Sequence, residues 1–358
     1  MDSNSLDKEF LFKYLTNTSP TGFETSGQKL WLDFLKPFID SYQVDTYGSV
    51  AAGMFTDKPY KVVLEAHADE IAWFVSHVTD KGFLQVRRNG GSDPVIAPSM
   101  RVDIHTDQGI VKGVFGWPAI HVRNREKEEA PSLKNLYIDC GCTNKEEVEA
   151  LGIHVGTVVT FCDGPMWLNQ ERYLVGRALD NRIGGFMIAS VMQRIHREGI
   201  QLPFALYAVN SVQEEIGLRG AEMISRRLKP DVAIITDVTH CTVPPGYNHD
   251  IGETSAGKGP VLTYGPAVQN NLLKAVMDTA KKHDIPFQRQ VAERSTGTDT
   301  DAFAYSGEGV ASVLISLPLR YMHTTVESVR WDDVERVIEL MYRFVISRTG
   351  NEDYRYFS

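Results

Sequence analysis

The amino-acid sequence predicts an α/β fold whose sheet is interrupted by an all-β insertion. Short apolar runs and helical patterns occupy both ends of the 358-residue chain. Such runs are typical of strands that are covered on both faces of a parallel sheet. Between residues 72 and 165 the pattern changes to short strands separated by turns, which is typical of a small antiparallel barrel. We therefore predict one α/β domain from residues 1–71 and 166–358, and an inserted β-barrel-like domain from residues 72–165.

Composition and charge exclude several classes of protein. Hydrophobic residues make up 42% and charged residues 23% of the chain, as in an ordinary globular protein. The net charge of −9, without a strongly basic stretch, argues against a nucleic-acid partner. The polar, acidic start lacks the pattern of a secretory signal, and no apolar run approaches the roughly 18–20 residues that span a bilayer. We therefore expect a cytoplasmic protein without a membrane partner.

The cysteines form no C-x-x-C pair; they are Cys140, Cys142, Cys162 and Cys241. We predict small buried thiols, as expected in a reducing cytoplasm, with a zinc site as the alternative.

The N-terminal segment contains one clear helical face. Apolar residues recur with the spacing i, i+3, i+4 and i+7 at Trp31, Phe34, Leu35 and Phe38. Pro37 disfavours a helical Lys36, so we expect the helix to stop or kink there. Thr21 and Glu24 have the spacing of a capping box, which predicts a helix start, and Ser26 is a second candidate cap.

The first candidate metal ligand is His67, which follows the apolar run of residues 61–66. In an extended segment His67 and Asp69 point to the same side. Asp69 can then accept a hydrogen bond from the imidazole nitrogen that does not face a metal, which fixes the tautomer. The alternative is an ordinary histidine at a strand end. The insertion opens just after His67, so we expect it to lie over or beside the site.

The second candidate is Asp180, which follows the run of residues 173–179 and precedes a predicted helix over 182–197. An aspartate at a strand end, before a helix with small residues, can approach two ions. Two divalent cations about 3.5–4 Å apart repel each other, and a bridging aspartate together with a hydroxide relieves that repulsion. The alternative is that Asp180 is a helix N-cap.

The pair Glu214–Glu215 follows the apolar run of residues 204–209. Adjacent carboxylates repel, so a fold keeps them close when positive charge or separate roles compensate. We predict that Glu215 binds metal. We predict that Glu214 takes a proton from a metal-activated water and hands it to the leaving amine. The alternative is two solvated glutamates on a helix.

Asp237 and His323 complete the set, after the runs of residues 232–236 and 311–315. Each alone has an ordinary alternative, a turn residue or a surface histidine. Ligands bind at the carboxyl ends of strands in open α/β sheets, so we expect all these side chains at one sheet edge. The three ligand carboxylates and one hydroxide balance two divalent ions per subunit, zinc or cobalt, with manganese also compatible. His240 and Cys241, just after Asp237, are interpreted as bystanders.

Several segments together resemble metallopeptidase family forty-two, the cytosolic two-metal aminopeptidases, some of which carry the label "cellulase M" or endoglucanase. The matching segments are EAHADEIAWFV, RALDNRIGG, QEEIGLRGA, GTDTDAF and RYMHTTVE. The resemblance implies that His67 and Asp237 bind one metal and that Glu215 and His323 bind the other. It also implies that Asp180 bridges the metals. Finally, it implies that Glu214 is the general base and that Asp69 orients His67.

The resemblance further implies a three-layer, zinc-peptidase-like α/β catalytic domain, with the inserted β domain serving oligomer contacts and a lid. Homo-oligomers are implied, either dimers or dodecamers built from dimers, as is a cis peptide bond between Asp180 and Asn181. Asn181 replaces a frequent aspartate of the family, and Ala68 and Ala72 replace frequent methionine and glycine. These neighbours shape the pocket, so the preferred substrate side chain is left open.

The main functional hypothesis is therefore removal of N-terminal residues from peptides. A deacylase or carboxypeptidase with the same two-metal site is the first alternative. A glycosidase is a second, although glycosidases use two carboxylates that no metal occupies. A non-catalytic metal-binding protein is the third.

Overall fold

The computed structural model describes residues 6–124, 126, 128–247 and 252–357. The strands in chain order are β1 (Ser41–Val44), β2 (Val50–Met54), β3 (Lys61–His67), β4 (Ala72–Val78), β5 (Phe83–Asn89), β6 (Arg101–Thr106), β7 (Gly109–Phe115), β8 (Ile138–Asp139), β9 (Val158–Phe161), β10 (Met166–Leu168), β11 (Tyr173–Gly176), β12 (Ala205–Ser211), β13 (Val232–His240), β14 (Val261–Tyr264), β15 (Gln288–Val291), β16 (Ala311–Arg320) and β17 (Glu327–Arg330). The α-helices are α1 (Lys8–Thr16), α2 (Thr25–Leu35), α3 (Lys145–Ala150), α4 (Leu179–Arg197), α5 (Arg219–Leu228), α6 (Asn270–Lys282), α7 (Asp299–Ala304) and α8 (Trp331–Ile346).

An 11-stranded mixed sheet organises the larger part of the molecule, with β1-β2-β12-β3-β13-β16-β17-β11-β10 as its main path. Its centre is the run β12-β3-β13-β16, in which each neighbouring pair is parallel. The register aligns Ser211 with His67, and Asp237 with Ser316. The carboxyl ends of these four strands therefore meet at one edge of the sheet, as predicted.

Both faces of this sheet are covered. All seven residues of β12 are buried, which explains why its sequence is apolar rather than alternating. Helices α1, α2 and α8 pack against α4, and α6 packs against α8, while α5 and α7 pack against each other and the sheet. The result is the predicted three-layer α/β arrangement. A single apolar core runs through it.

The N-terminal helical prediction is partly confirmed. Helix α2 ends at Leu35, and a 3-10 turn follows over Lys36–Phe38, so the α-helix stops just before the Lys36–Pro37 pair. The capping prediction is wrong, because α2 begins at Thr25 and has no side-chain cap. The Thr21 hydroxyl instead donates to Asp69, and Glu24 accepts the N–H of Gly22. Helix α1 was not predicted.

Six strands form a closed barrel in the order β4-β5-β8-β7-β6-β9. All of them come from residues 72–161, and they enclose a second apolar core around Trp73. The short helix α3 lies between β8 and β9 along the chain. We propose that the domain boundaries are those given above, 72–165 for the insertion and 1–71 with 166–358 for the remainder.

Two further sequence predictions need correction. Strand β13 does not end at Asp237 but continues to His240, because it pairs with β16 along its whole length. Of the cysteines, only Cys241 is buried, whereas the other three are partly exposed and all four are free thiols. Within the part of the chain that the structure describes, no helix combines the length and apolarity needed to cross a membrane.

Candidate metal centre

The predicted site residues come together at the carboxyl edge of the parallel strands. His67 ends β3, and Asp237 lies within β13. Glu214 and Glu215 form a 3-10 turn after β12, and His323 follows β16. Asp180 enters from the start of α4. The local sequence patterns therefore place five separate chain segments at one point.

Asp180 lies between the two imidazoles. Its Oδ1 is 3.2 Å from Nε2 of His67, and its Oδ2 is 3.3 Å from Nε2 of His323. Both oxygens of Asp180 face imidazole nitrogens, which does not support the alternative role of this residue as a helix N-cap. One carboxylate with an imidazole at each oxygen has the geometry that a bridging ligand needs.

The remaining carboxylates divide between the two histidines. Glu215 Oε1 lies 3.5 Å from Nε2 of His323. Asp237 Oδ1 and Glu214 Oε2 each lie 3.9 Å from Nε2 of His67. Ligand atoms fall within 4.8 Å of one another in two overlapping groups, His67–Asp180–Glu215 and His67–Glu214–Asp237. On distance alone Glu214 fits either a ligand or a base.

Asp69 holds the neighbours of the site in place. Its carboxylate accepts the backbone N–H groups of Glu214 at 3.0 Å and Glu215 at 3.2 Å, and the hydroxyl of Thr21 at 2.9 Å. Its Oδ1 also lies 3.4 Å from Nδ1 of His67, the nitrogen that faces away from Asp180. The nearer acceptor for that nitrogen is the backbone carbonyl of Asp69, at 3.2 Å, so Asp69 contacts His67 through its main chain as well as its carboxylate. The contacts of Asp69 to the glutamate pair were not predicted.

The backbone adopts an unusual conformation at or just before the ligands. Ala178, Gln213 and His323 have φ values of 58°, 59° and 62°. This left-handed region costs residues with a side chain roughly 1–2 kcal/mol each. Compensating bonds are present, since Glu327 accepts the N–H of His323 at 2.7 Å. The peptide bond between Asp180 and the next residue is cis.

Burial and mutual repulsion shift the protonation of the cluster. Among the protein groups alone, burial raises the pKa of Glu214 to about 10, and it raises the pKa of Asp237 and Glu215 as well. Burial lowers the pKa of His323, but hydrogen bonds to Asp180 and Glu215 outweigh it and raise the pKa to about 11. Burial also opposes ionisation of His67, but nearby carboxylates raise its pKa above the ordinary value.

This donor set fits divalent cations. Carboxylates buried beside one another require a compensating positive charge. Imidazole and carboxylate ligands suit zinc, cobalt and manganese. When no cation is bound, protons on the histidines and glutamates offset the negative charge of the cluster. The raised pKa values of these groups express this. The residues therefore fit metal ions on their chemistry.

Sequence reasoning missed Glu327, which supports two of the candidate ligands. Its two carboxylate oxygens accept the N–H of Asp180 at 3.0 Å and the N–H of His323 at 2.7 Å. It is almost fully buried, and burial raises its pKa. The sequence signal is weak: an acidic residue at the head of a short strand, four positions after His323.

A buried carboxyl pair behind the site was also missed. Ser211 Oγ lies 2.6 Å from Glu65 Oε1 and 2.5 Å from Asp299 Oδ2. A hydroxyl carries one proton, so it donates to one carboxyl while the other must carry its own. A further buried ion pair joins Glu70 to Arg177 beside the centre.

Comparison with known proteins gives one consistent family. The profile described as M42 glutamyl aminopeptidase matches residues 48–340. The lysyl aminopeptidase of Pyrococcus furiosus is 32% identical, over 94% of this chain and 95% of its own length.

Solved structures agree over nearly the whole chain. The TET aminopeptidase of the marine sediment archaeon Thaumarchaeota archaeon SCGC AB-539-E09 superimposes with a TM-score of 0.91 at 28% identity, covering 95% of this chain and 96% of that one. The TET1 peptidase of Pyrococcus horikoshii, which can assemble into a tetrahedron or a large octahedral shell, gives a TM-score of 0.84 at 26% identity over 95% and 99% of the two chains.

Proposed function

The chain belongs to the M42 glutamyl aminopeptidase family and is a metal-dependent aminopeptidase, and on that premise we propose which residues carry the reaction. His67 and Asp237 would hold one divalent ion, Glu215 and His323 would hold a second, and Asp180 would be a ligand of both. The observation that carries this proposal is the position of Asp180, with one imidazole nitrogen 3.2 Å from one of its oxygens and another 3.3 Å from the other.

Bound divalent ions supply Lewis acidity toward a carbonyl oxygen and lower the pKa of water to about 7. Glu214 is the general base: it accepts the proton of the attacking water and delivers it to the amine that leaves. Asp69 fixes Glu214 for this task, because it holds the backbone N–H of that residue at 3.0 Å. Glu214 is chosen over Asp237 as the base because its side chain projects from a turn rather than from the middle of a strand.

The ligand set is compatible with zinc, cobalt and manganese, and we propose zinc or cobalt as the working ions. We further propose that the protein is a homo-oligomer, supported by the assemblies reported for the TET1 peptidase of Pyrococcus horikoshii. A cytoplasmic location is supported by four free cysteines, three of them partly exposed.

The identity of the substrate side chain is not specified by the names of the relatives, because the family is described as glutamyl while the Pyrococcus furiosus relative is lysyl. The test is a panel of aminoacyl-p-nitroanilides, assayed with chelator-treated protein before and after addition of zinc, cobalt or manganese. We expect release that depends on added metal and favours one or a few residues. Hydrolysis of N-acetyl-amino acids, without release from any anilide, would instead support the deacylase.

A further inference from the structure

Two glycines of the barrel lie directly against the candidate ligands of one metal ion. Gly90 and Gly91 follow β5, in the loop that ends the second barrel strand. A Cβ atom on Gly91 would lie 2.5 Å from Nδ1 and 2.6 Å from Cε1 of His323. A Cβ atom on Gly90 would lie 3.2 Å from Cβ of Glu215. The loop therefore contacts both side chains assigned to the same ion.

Different structural constraints favour glycine at the two positions. Gly90 has φ +78°, a left-handed conformation that side chains disfavour. Gly91 does not lie in that region, so left-handed strain is not what favours glycine there. The close approach of the His323 ring is what requires the absence of a side chain at position 91.

Hydrogen bonds anchor the loop on both sides, so moving the loop away from the His323 ring would break them. Asn89 is buried and donates from Nδ2 to the carbonyl of Thr21 at 2.8 Å. Ser92 is buried and donates from Oγ to the carbonyl of Ala72 at 2.6 Å. The hydroxyl of Thr21 in turn donates to Asp69. A side chain at position 91 would consequently displace the imidazole rather than the loop.

We propose that Gly91 is a positioning residue that holds the His323 imidazole against its metal ion, so that the barrel completes one of the two metal positions. The contact is on the Nδ1–Cε1 edge of the ring, and Cε1 is bonded to the Nε2 atom that faces Asp180 and Glu215. The three atoms nearest to a Cβ on either glycine belong to Glu215, Ile71 and His323, and none belongs to His67 or Asp237. This inference rests on the metal assignment of the proposed function.

The experiment replaces Gly91 with alanine and titrates chelator-treated protein with Co²⁺, following both the number of ions bound and the visible absorption of the cobalt. We expect Gly91→Ala to bind one ion as the wild type does and the other roughly 10- to 100-fold more weakly, the range seen when supporting groups of a metal ligand are changed. Gly164→Ala is the matched control, because Gly164 has no left-handed φ and no atom within 4 Å of an added Cβ.

A second variant shows whether the effect passes through the ring. In a His323→Ala background, Gly91→Ala should add no further loss of cobalt affinity. Equal losses in both backgrounds, two ions bound with wild-type affinity, or a thermal midpoint of metal-free Gly91→Ala well below that of Gly164→Ala would each overturn the inference. Failure of the wild-type protein to bind a second ion would contradict the proposed function instead, so the two failures are distinguishable.

Discussion

The carboxylate of Asp69 accepts the backbone N–H of Glu214 at 3.0 Å, although 145 positions separate the two residues in the chain. The same carboxylate lies 3.4 Å from Nδ1 of His67. The backbone carbonyl of Asp69 lies 3.2 Å from the same nitrogen, so one buried residue orients a candidate metal ligand and the proposed base together. A change at Asp69 should affect both metal binding and proton transfer.

Asp69→Asn tests this relationship. The amide replaces one accepting oxygen with a donor, so it loses one of the N–H bonds to the glutamate turn and weakens the hold on His67. We expect metal affinity to fall roughly 10- to 100-fold and turnover to fall at saturating metal as well. Both are measured by metal titration and by anilide hydrolysis.

Asp333→Asn provides a matched control for that variant. Asp333 is equally buried and accepts the backbone N–H groups of Gly257 and Gly259, neither of which belongs to the candidate metal site. We expect it to lower stability without changing metal affinity. Equal metal affinities for Asp69→Asn and the wild type would contradict the positioning role of Asp69.

Metal binding should release protons. The raised pKa values of His67, His323 and Glu214 mean that these groups are protonated near pH 7 when no cation is bound. Ligands bind cations in their deprotonated form, so each ion displaces at least one proton and the apparent affinity rises with pH. Calorimetric titration with zinc in two buffers of different ionisation enthalpy measures the release. The same binding enthalpy in both buffers would exclude it.

The buried carboxyl pair should make stability depend on pH. Burial raises the pKa of Glu65 and of Asp299 above their unfolded values. The favourable contribution of such a raised carboxyl is fully present below its unfolded pKa, about 4, and is lost as the pH rises toward the folded value. Asp299→Asn removes one of the two ionisations while keeping the size of the side chain.

We therefore expect the free energy of unfolding of Asp299→Asn to improve relative to the wild type as the pH rises from 5 to 8. Urea unfolding of chelator-treated proteins at both values measures it, and the pH 5 comparison is the internal control. A difference between the two proteins that does not change with pH would contradict the raised pKa values of the pair.

Local sequence patterns were sufficient to find the candidate ligands. Buried strands read as apolar runs, and parallel strands bring their carboxyl ends to one edge, so a histidine or carboxylate just after such a run is placed by the fold class alone. The same reasoning located the barrel, because turn residues at short intervals separate its strands.

The supporting groups could not be found in this way. Glu327 reaches Asp180 across 147 positions, and Ser211 reaches Asp299 across 88. Such contacts depend on how the layers pack against one another. The hydrophobic periodicity of the sequence carries no information about that packing. Gly91 is likewise unremarkable in sequence, since a glycine pair after a strand reads as a turn. The capping prediction at Thr21 failed for a related reason, because the tertiary contact with Asp69 replaced the local one.

The most direct test of the central claim is the metal content and turnover of Glu214→Gln. Glutamine keeps the size of the side chain but cannot accept the proton of water. We predict that the variant binds two divalent ions with near wild-type affinity and that its turnover falls by roughly 10²- to 10⁴-fold, the contribution of a general base. Near wild-type turnover would contradict the assignment of Glu214 as the base. Loss of one ion would show that Glu214 is a ligand, as its 3.9 Å distance from Nε2 of His67 also permits.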